Sequence, residues 1–120
     1  MGSGKGSQAV EAATDLVASY GLEPEALLRM YELMWLSRKL DRRGLILNRQ
    51  GRVPFHVSGE GQEGCQVGAA MALRPGVDYV FPYYRDLAVV LTLGLTPREY
   101  MLLLFGKAGD PSGGGRQMPG

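Results

Sequence analysis

The strongest constraint in this sequence is a continuous helical pattern that opens at Glu23-Pro24-Glu25 and runs to about Asn48. Proline is tolerated in a first helical turn, where its missing N–H has no partner to lose, and carboxylates there sit well against the positive end of the helix dipole. Leu27, Met30, Tyr31, Met34, Trp35 and Arg38 lie near one face, which is expected to be core or a subunit interface. Glu32, Lys39 and Arg42 extend toward the other faces. Helical spacing accounts for the methionines and the tryptophan without a cofactor box. A helix of this length in a chain of 120 residues leaves room for one small domain. Such a domain buries about two-thirds of its unfolded surface, so its apolar faces want cover if it belongs to something larger.

The remaining elements follow from punctuation. Val10, Ala13, Leu16, Val17 and Tyr20 predict a short first helix closed by Gly21, behind a flexible lead over residues 1–8. Gly51 and Pro54 break the long helix, and 55–60 is expected to be a loop. Helical character resumes from Gly61 to Leu73 and ends at Arg74-Pro75-Gly76. Asp78 to Phe81 reads as one short strand, and Asp86 to Leu93 as a helix closed by Gly94. Thr96-Pro97-Arg98-Glu99 combines a capping threonine, a proline at the first position and an acid three residues after the cap, giving a helix through about Phe105. Residues 9–105 form the folded part, mainly α with about five helices and one strand. From Gly106 to Gly120 the chain is a glycine-rich loop, expected to lack structure and to end as a cut rather than as a natural terminus.

Composition narrows the function classes. The net charge is +1, and the basic residues are interspersed with acids, so neither nucleic acid nor a membrane surface has an electrostatic footprint to bind. A single cysteine, Cys65, excludes an internal disulfide and provides no zinc site. No apolar signal segment follows Met1, so a cytoplasmic location is the default expectation.

Four groups of residues invite a chemical reading. Tyr84-Arg85-Asp86 sits where the expected strand runs into a helix, and an arginine fork with a neighbouring phenol suits phosphate oxygens. Taken alone, an ordinary surface pairing of Arg85 with Asp86 is the commoner role for such an arginine. The run Gly113-Gly114-Gly115-Arg116 offers backbone amides to an anion but lacks the Gly-Lys-Ser/Thr ending of a P-loop, so composition favours a linker. His56, the single histidine, is read as a loop imidazole packed without a catalytic role. Glu60 and Glu63, with Gln62 at a helix entrance, are accounted for by the dipole of its first turn.

In order, the segments Phe55-His56-Val57-Ser58-Gly59-Glu60-Gly61-Gln62-Glu63-Gly64, Val80-Phe81-Pro82-Tyr83-Tyr84-Arg85-Asp86 and Gly115-Arg116-Gln117-Met118-Pro119 resemble three successive segments of the alpha subunits of thiamine-diphosphate-dependent 2-oxoacid dehydrogenases, the E1 components. The resemblance spans about Pro24 to Gly120. It implies a piece of a larger three-layer α/β fold that binds thiamine diphosphate at the boundary with an E1 beta subunit, in a heterotetramer. Tyr84 and Arg85 match the family pair that contacts the cofactor's diphosphate, and Phe55 and Ser58 fall in the loop near the thiazolium and the substrate pocket. The family decarboxylates a 2-oxoacid and passes the acyl unit to a lipoyl group on an E2 transacylase. The wording Phe-Pro-Tyr-Tyr-Arg-Asp is nearer the bacterial branched-chain subgroup than the pyruvate subgroup.

Departures from the family pattern limit what these residues are expected to do alone. The Gly-Asp-Gly segment and the later asparagine that hold magnesium lie outside the 120 residues, and the histidine that commonly follows Met-Pro is missing. The carboxylate that activates the cofactor belongs to the beta subunit. No residue here is therefore assigned a catalytic or metal-binding role, and the isolated piece is expected to be inactive and to bind cofactor weakly or not at all. Two other readings remain open: a non-enzymatic helical interaction module using Tyr31, Met34 and Trp35, and a phosphate-ester-binding domain using Arg85 and the glycine tail.

Overall fold

The structure, a computed structural model, describes residues 3–116. Met1 and Gly2 of the expected lead, and Gln117, Met118, Pro119 and Gly120 of the tail, lie outside the described residues. Five helices carry the described chain: α1 (Ser3–Ser19), α2 (Pro24–Arg49), α3 (Glu63–Met71), α4 (Leu87–Thr92) and α5 (Pro97–Leu104). Helix α1 begins seven residues before Val10, so residues 3–8 of the expected lead are helical. Extending a helix costs far less than nucleating one, and Val10 to Tyr20 supplies the nucleus.

Helices α2, α3 and α4 pack on one another. α5 joins them through Tyr100 and Leu104, which share a core with Leu33, Leu40, Leu47, Val53, Val67, Leu87, Ala88 and Leu91. The proline at the start of α2 and the Thr96–Glu99 capping box of α5 sit as expected. The Thr96 hydroxyl accepts from the Glu99 amide, and the Glu99 carboxylate accepts in return from the Thr96 amide.

The buried side of α2 differs from the expected face. Leu33, Ser37, Leu40, Asp41, Gly44 and Leu47 face the core, whereas Tyr31 and Trp35 are 63% and 55% exposed. Met30 and Met34 lie at the edge of the core. The two faces are neighbours on the helix. Hydrophobicity drew the reading toward the aromatics, while the stripe that fits against α3 and α4 includes small and polar residues that let other segments approach.

No strand occurs among the described residues, which corrects the expected strand over 78–81. A strand exists only where a second segment supplies its ladder, and among the described residues none pairs with 79–82. Tyr79 and Phe81 are accordingly 90% and 96% exposed.

The glycine-rich tail has no helix or strand through residue 116, yet it is ordered as successive turns and is not structureless. The buried Asp110 carboxylate accepts from the amides of Ser112, Gly113 and Gly115 at 3.0, 3.0 and 3.1 Å. Those contacts, led by the Ser112 amide, hold its pKa below the ordinary aspartate value. Gly115 has φ +77, and a Cβ there would lie 2.4 Å from the Gly106 carbonyl, so only glycine lets the tail fold back on the end of α5.

Candidate functional site

Tyr84 and Arg85 come together at the connection into α4, on the wall of a cavity of about 150 Å³. Val57, Gly59, Leu87, Val90, Tyr100 and Ser112 also line it, so the loop after α2, the α4–α5 pair and the glycine tail converge there. Burial, with the charge of Asp41 a lesser cause, pushes the Tyr100 phenol well above its ordinary pKa, so that side chain stays neutral.

The Arg85 guanidinium lies 5.6 Å from the centre of the Tyr84 ring, in cation–π range, and the Tyr83 and Tyr84 rings are 4.0 Å apart. Arg85 is exposed, and among the described residues no carboxylate lies within ion-pair distance of it. The ordinary pairing with Asp86 is thus not formed. Asp86 instead accepts from the Tyr83 amide at 2.8 Å, closing the turn that carries the tyrosine pair.

The backbone beneath this pair is held by two contacts. Gln66 on α3, itself buried, donates from Nε2 to the Arg85 carbonyl at 2.9 Å, and its Oε1 accepts from the Ala88 amide at 3.1 Å. It thereby satisfies an N–H in the first turn of α4, which no side chain caps. Gly59 abuts the same carbonyl, and a Cβ at Gly59 would stand 2.6 Å from the Arg85 oxygen. That distance is below any van der Waals contact, so residue 59 must lack a side chain for the two segments to meet.

The loop 55–60 is in turn tied to α2. Asp41, buried in mid-helix, accepts from the Ser58 hydroxyl through Oδ2 and from the Gly59 amide through Oδ1 at 3.2 Å. His56 Nε2 is also 3.2 Å from Oδ1, near enough to act on the carboxylate, but it lies off the hydrogen-bonding direction and has no well-aligned partner. Burial raises the pKa of Asp41, and the contacts from His56, Ser58 and Gly59 outweigh it, so the group stays ionised below the usual aspartate range. The imidazole itself, 2% exposed, fits a notch at Gly44, where a Cβ would lie 2.8 Å from the ring. This agrees with the reading of His56 as packed.

Phe55 and Ser58 do not line the cavity. Phe55 presents a ring that is 41% exposed beside His56, and the Ser58 hydroxyl is committed to Asp41 while accepting from the Glu60 amide at 3.1 Å. Glu60 and Glu63 do more than favour a helix dipole. Arg38 grips Glu63 with two bonds, Nε to Oε1 at 2.5 Å and a terminal nitrogen to Oε2 at 2.9 Å, while Arg42 reaches Glu60 at 2.8 Å. The Arg38 bond is the main reason that the Glu63 pKa lies below its ordinary value.

Sequence reasoning missed Asp41 and Gln66. The signal available was a polar residue set within a helical stripe of buried positions, Leu33, Ser37, Leu40, Asp41, Gly44 and Leu47 on α2, and Gln66 beside Val67 on α3. Among the described residues no cluster of three or more His, Cys, Asp or Glu side chains is arranged to hold a metal ion, and no helix is long and apolar enough to cross a membrane.

Comparison with known proteins places this arrangement. The chain is 50% identical over 108 residues to the 2-oxoisovalerate dehydrogenase subunit alpha of Bacillus subtilis, an alignment covering 90% of the chain and 33% of that protein. It is 35% identical over 113 residues to the mitochondrial 2-oxoisovalerate dehydrogenase subunit alpha of Caenorhabditis elegans, covering 94% of the chain and 26% of the relative. Against the human mitochondrial 2-oxoisovalerate dehydrogenase subunit alpha the identity is 37% over 98 residues, covering 82% and 22%. The chain thus spans a third or less of the length of these relatives. No solved structure matches it significantly. Residues 31–120, which include the α2–α3 loop, the Tyr84-Arg85 connection and the glycine tail, match the family described as dehydrogenase E1 component, and the chain belongs to that family.

Proposed function

We propose that this chain is the amino-terminal portion of the alpha subunit of a thiamine-diphosphate-dependent branched-chain 2-oxoacid dehydrogenase, and that Tyr84 and Arg85 hold the cofactor's diphosphate. The observation that carries the reading is the exposed arginine that has no carboxylate partner among the described residues, backed by a tyrosine, on a backbone that Gln66 bonds and Gly59 abuts. A permanently charged fork that no described carboxylate engages matches the phosphate oxygens of a diphosphate. The Tyr84 hydroxyl is a neutral donor on a ring with little freedom to lose. Bound there, thiamine diphosphate supplies the carbanion chemistry of decarboxylation. The chain's own residues anchor and orient it.

In this reading Phe55 and Ser58 stand at the thiazolium and substrate end, Phe55 offering an exposed ring and Ser58 fixed in place by Asp41. The magnesium ligands come from sequence beyond these residues and the activating carboxylate from an E1 beta subunit. The segment contributes to a larger three-layer α/β fold, within a heterotetramer that serves a lipoyl-bearing E2 transacylase. The exposed Tyr79, Phe81 and Trp35 supply apolar surface for such neighbours to cover. A branched-chain substrate is favoured by the names of the relatives and by the segment Phe81-Pro82-Tyr83-Tyr84-Arg85-Asp86.

The decisive experiment is Arg85→Ala in the full-length alpha subunit assembled with its beta subunit. The dissociation constant for thiamine diphosphate is expected to rise by about 10- to 100-fold, the range for losing charge-assisted hydrogen bonds to phosphate. Binding of unphosphorylated thiamine should be unchanged. Equal affinity of wild type and variant for thiamine diphosphate by calorimetric titration would remove the proposal.

A further inference from the structure

We propose that Asp41 is a positioning residue for the Tyr84–Arg85 pair: its buried carboxylate fixes the Ser58–Gly59 turn, and the bare backbone of that turn is the stop against which the Arg85 carbonyl rests. The inference builds on the cofactor reading of Tyr84 and Arg85 and adds to it a residue on another helix.

A carboxylate in the middle of a packed helix face loses much of its hydration, and the structure must compensate it. Arg38 and Arg42 on the same helix are engaged elsewhere, with Glu63 and Glu60. Asp41 is compensated by the loop, through the Ser58 hydroxyl, the Gly59 amide and the adjacent His56 ring. Both carboxylate oxygens are thereby committed to one short stretch of chain, Oδ2 to the Ser58 hydroxyl and Oδ1 to the Gly59 amide. Although Asp41 borders the cavity, its contacts direct it to holding the wall.

From that stretch the constraint passes on by contact. Gly59 is bonded to Asp41 through its amide, and its Cα faces the Arg85 oxygen so closely that no Cβ fits between them. Gln66 donates to the same oxygen at 2.9 Å. The carbonyl of residue 85 is therefore held between a hydrogen bond and a steric stop, and the stop is located by Asp41. If the turn moves, the carbonyl loses its seat and the guanidinium loses its aim. Preorganisation of this kind lowers what binding must spend on ordering the site.

A double-mutant cycle in the assembled full-length enzyme separates this role from general support of the fold. Asp41→Asn keeps the size of the side chain and one accepting oxygen. It is expected to weaken thiamine diphosphate about tenfold when Arg85 is present and less than about twofold when Arg85 is alanine, because a residue that acts through Arg85 has nothing left to act on. The same factor in both backgrounds, or no loss in either, would overturn the positioning role. Should Asp41→Asn fail to fold, Gly59→Ala probes the same link with the carboxylate intact, and the same dependence on Arg85 is required of it. An Arg85→Ala variant that binds cofactor normally would sink the cofactor reading and this inference together. A large Arg85 effect with an additive Asp41 effect sinks the inference alone.

Discussion

At the scale of single residues, the site depends on small side chains as much as on charged ones. Gly44 leaves the notch that the His56 ring fills, with 2.8 Å between the ring and the position a Cβ would take. Gly44→Ala is expected to cost about 1–3 kcal/mol, the usual range for overpacking a tight contact, read as a lower denaturation midpoint. Because His56 sits beside Asp41, the variant should also loosen the Ser58–Gly59 turn. An unchanged midpoint would mean that the imidazole has another place to go. Asp41 itself was not legible as functional from sequence, because one acid in a charged helix looks like a solvated side chain until the packing partners of that face are known. Tyr84 and Arg85 stand out in the sequence because their neighbours form an ordered pattern, whereas the close approach of residue 59 shows only with Arg85 against it.

At the scale of elements, α2 and the loop behind it are joined by carboxylates whose ionisation is tied to the fold. Burial opposes the charge of Asp41, but His56, Ser58 and Gly59 outweigh it, and the Arg38 bond leads the forces acting on Glu63; both groups have folded pKa values below their ordinary ones. Such groups bind protons more readily in the unfolded chain. Their contribution is therefore fully present above the unfolded carboxylate pKa of about 4 and is lost as pH falls through the lower folded values. The denaturant midpoint is expected to be level between about pH 5 and 7 and to drop below about pH 4. Glu63→Gln should flatten part of that drop, and a midpoint that rises on acidification would contradict the assignment. The helices themselves were well marked: Pro24 and Gly51 bracket α2, and Thr96 with Glu99 opens α5 as a capping box. Harder to read were the start of α1, where glycine and serine conceal a helix propagated from its apolar half, and the turns around Asp110, whose order comes from one carboxylate collecting three amides.

At the scale of the whole molecule, the chain is flat and open. Its Cα radius of gyration is 17.5 Å, with principal extents of 56 × 39 × 18 Å. A closed globule of this length would have a radius near about 14 Å. Val10, Leu16, Trp35, Val77, Tyr79 and Phe81 all remain exposed on it. In the proposed assembly the backbone amides of 79–81 are expected to gain strong protection from hydrogen exchange, while in the 120-residue chain alone they should exchange within seconds. Equal exchange in the two states would argue against their burial at a boundary with further sequence or with a beta subunit.

The missing ladder at 79–82 has a further consequence. A β preference written into one segment is half of an instruction, and the other half is held by whatever chain lies alongside it. An unpaired row of peptide groups is open to any strand that can match it, a second copy of the same segment included.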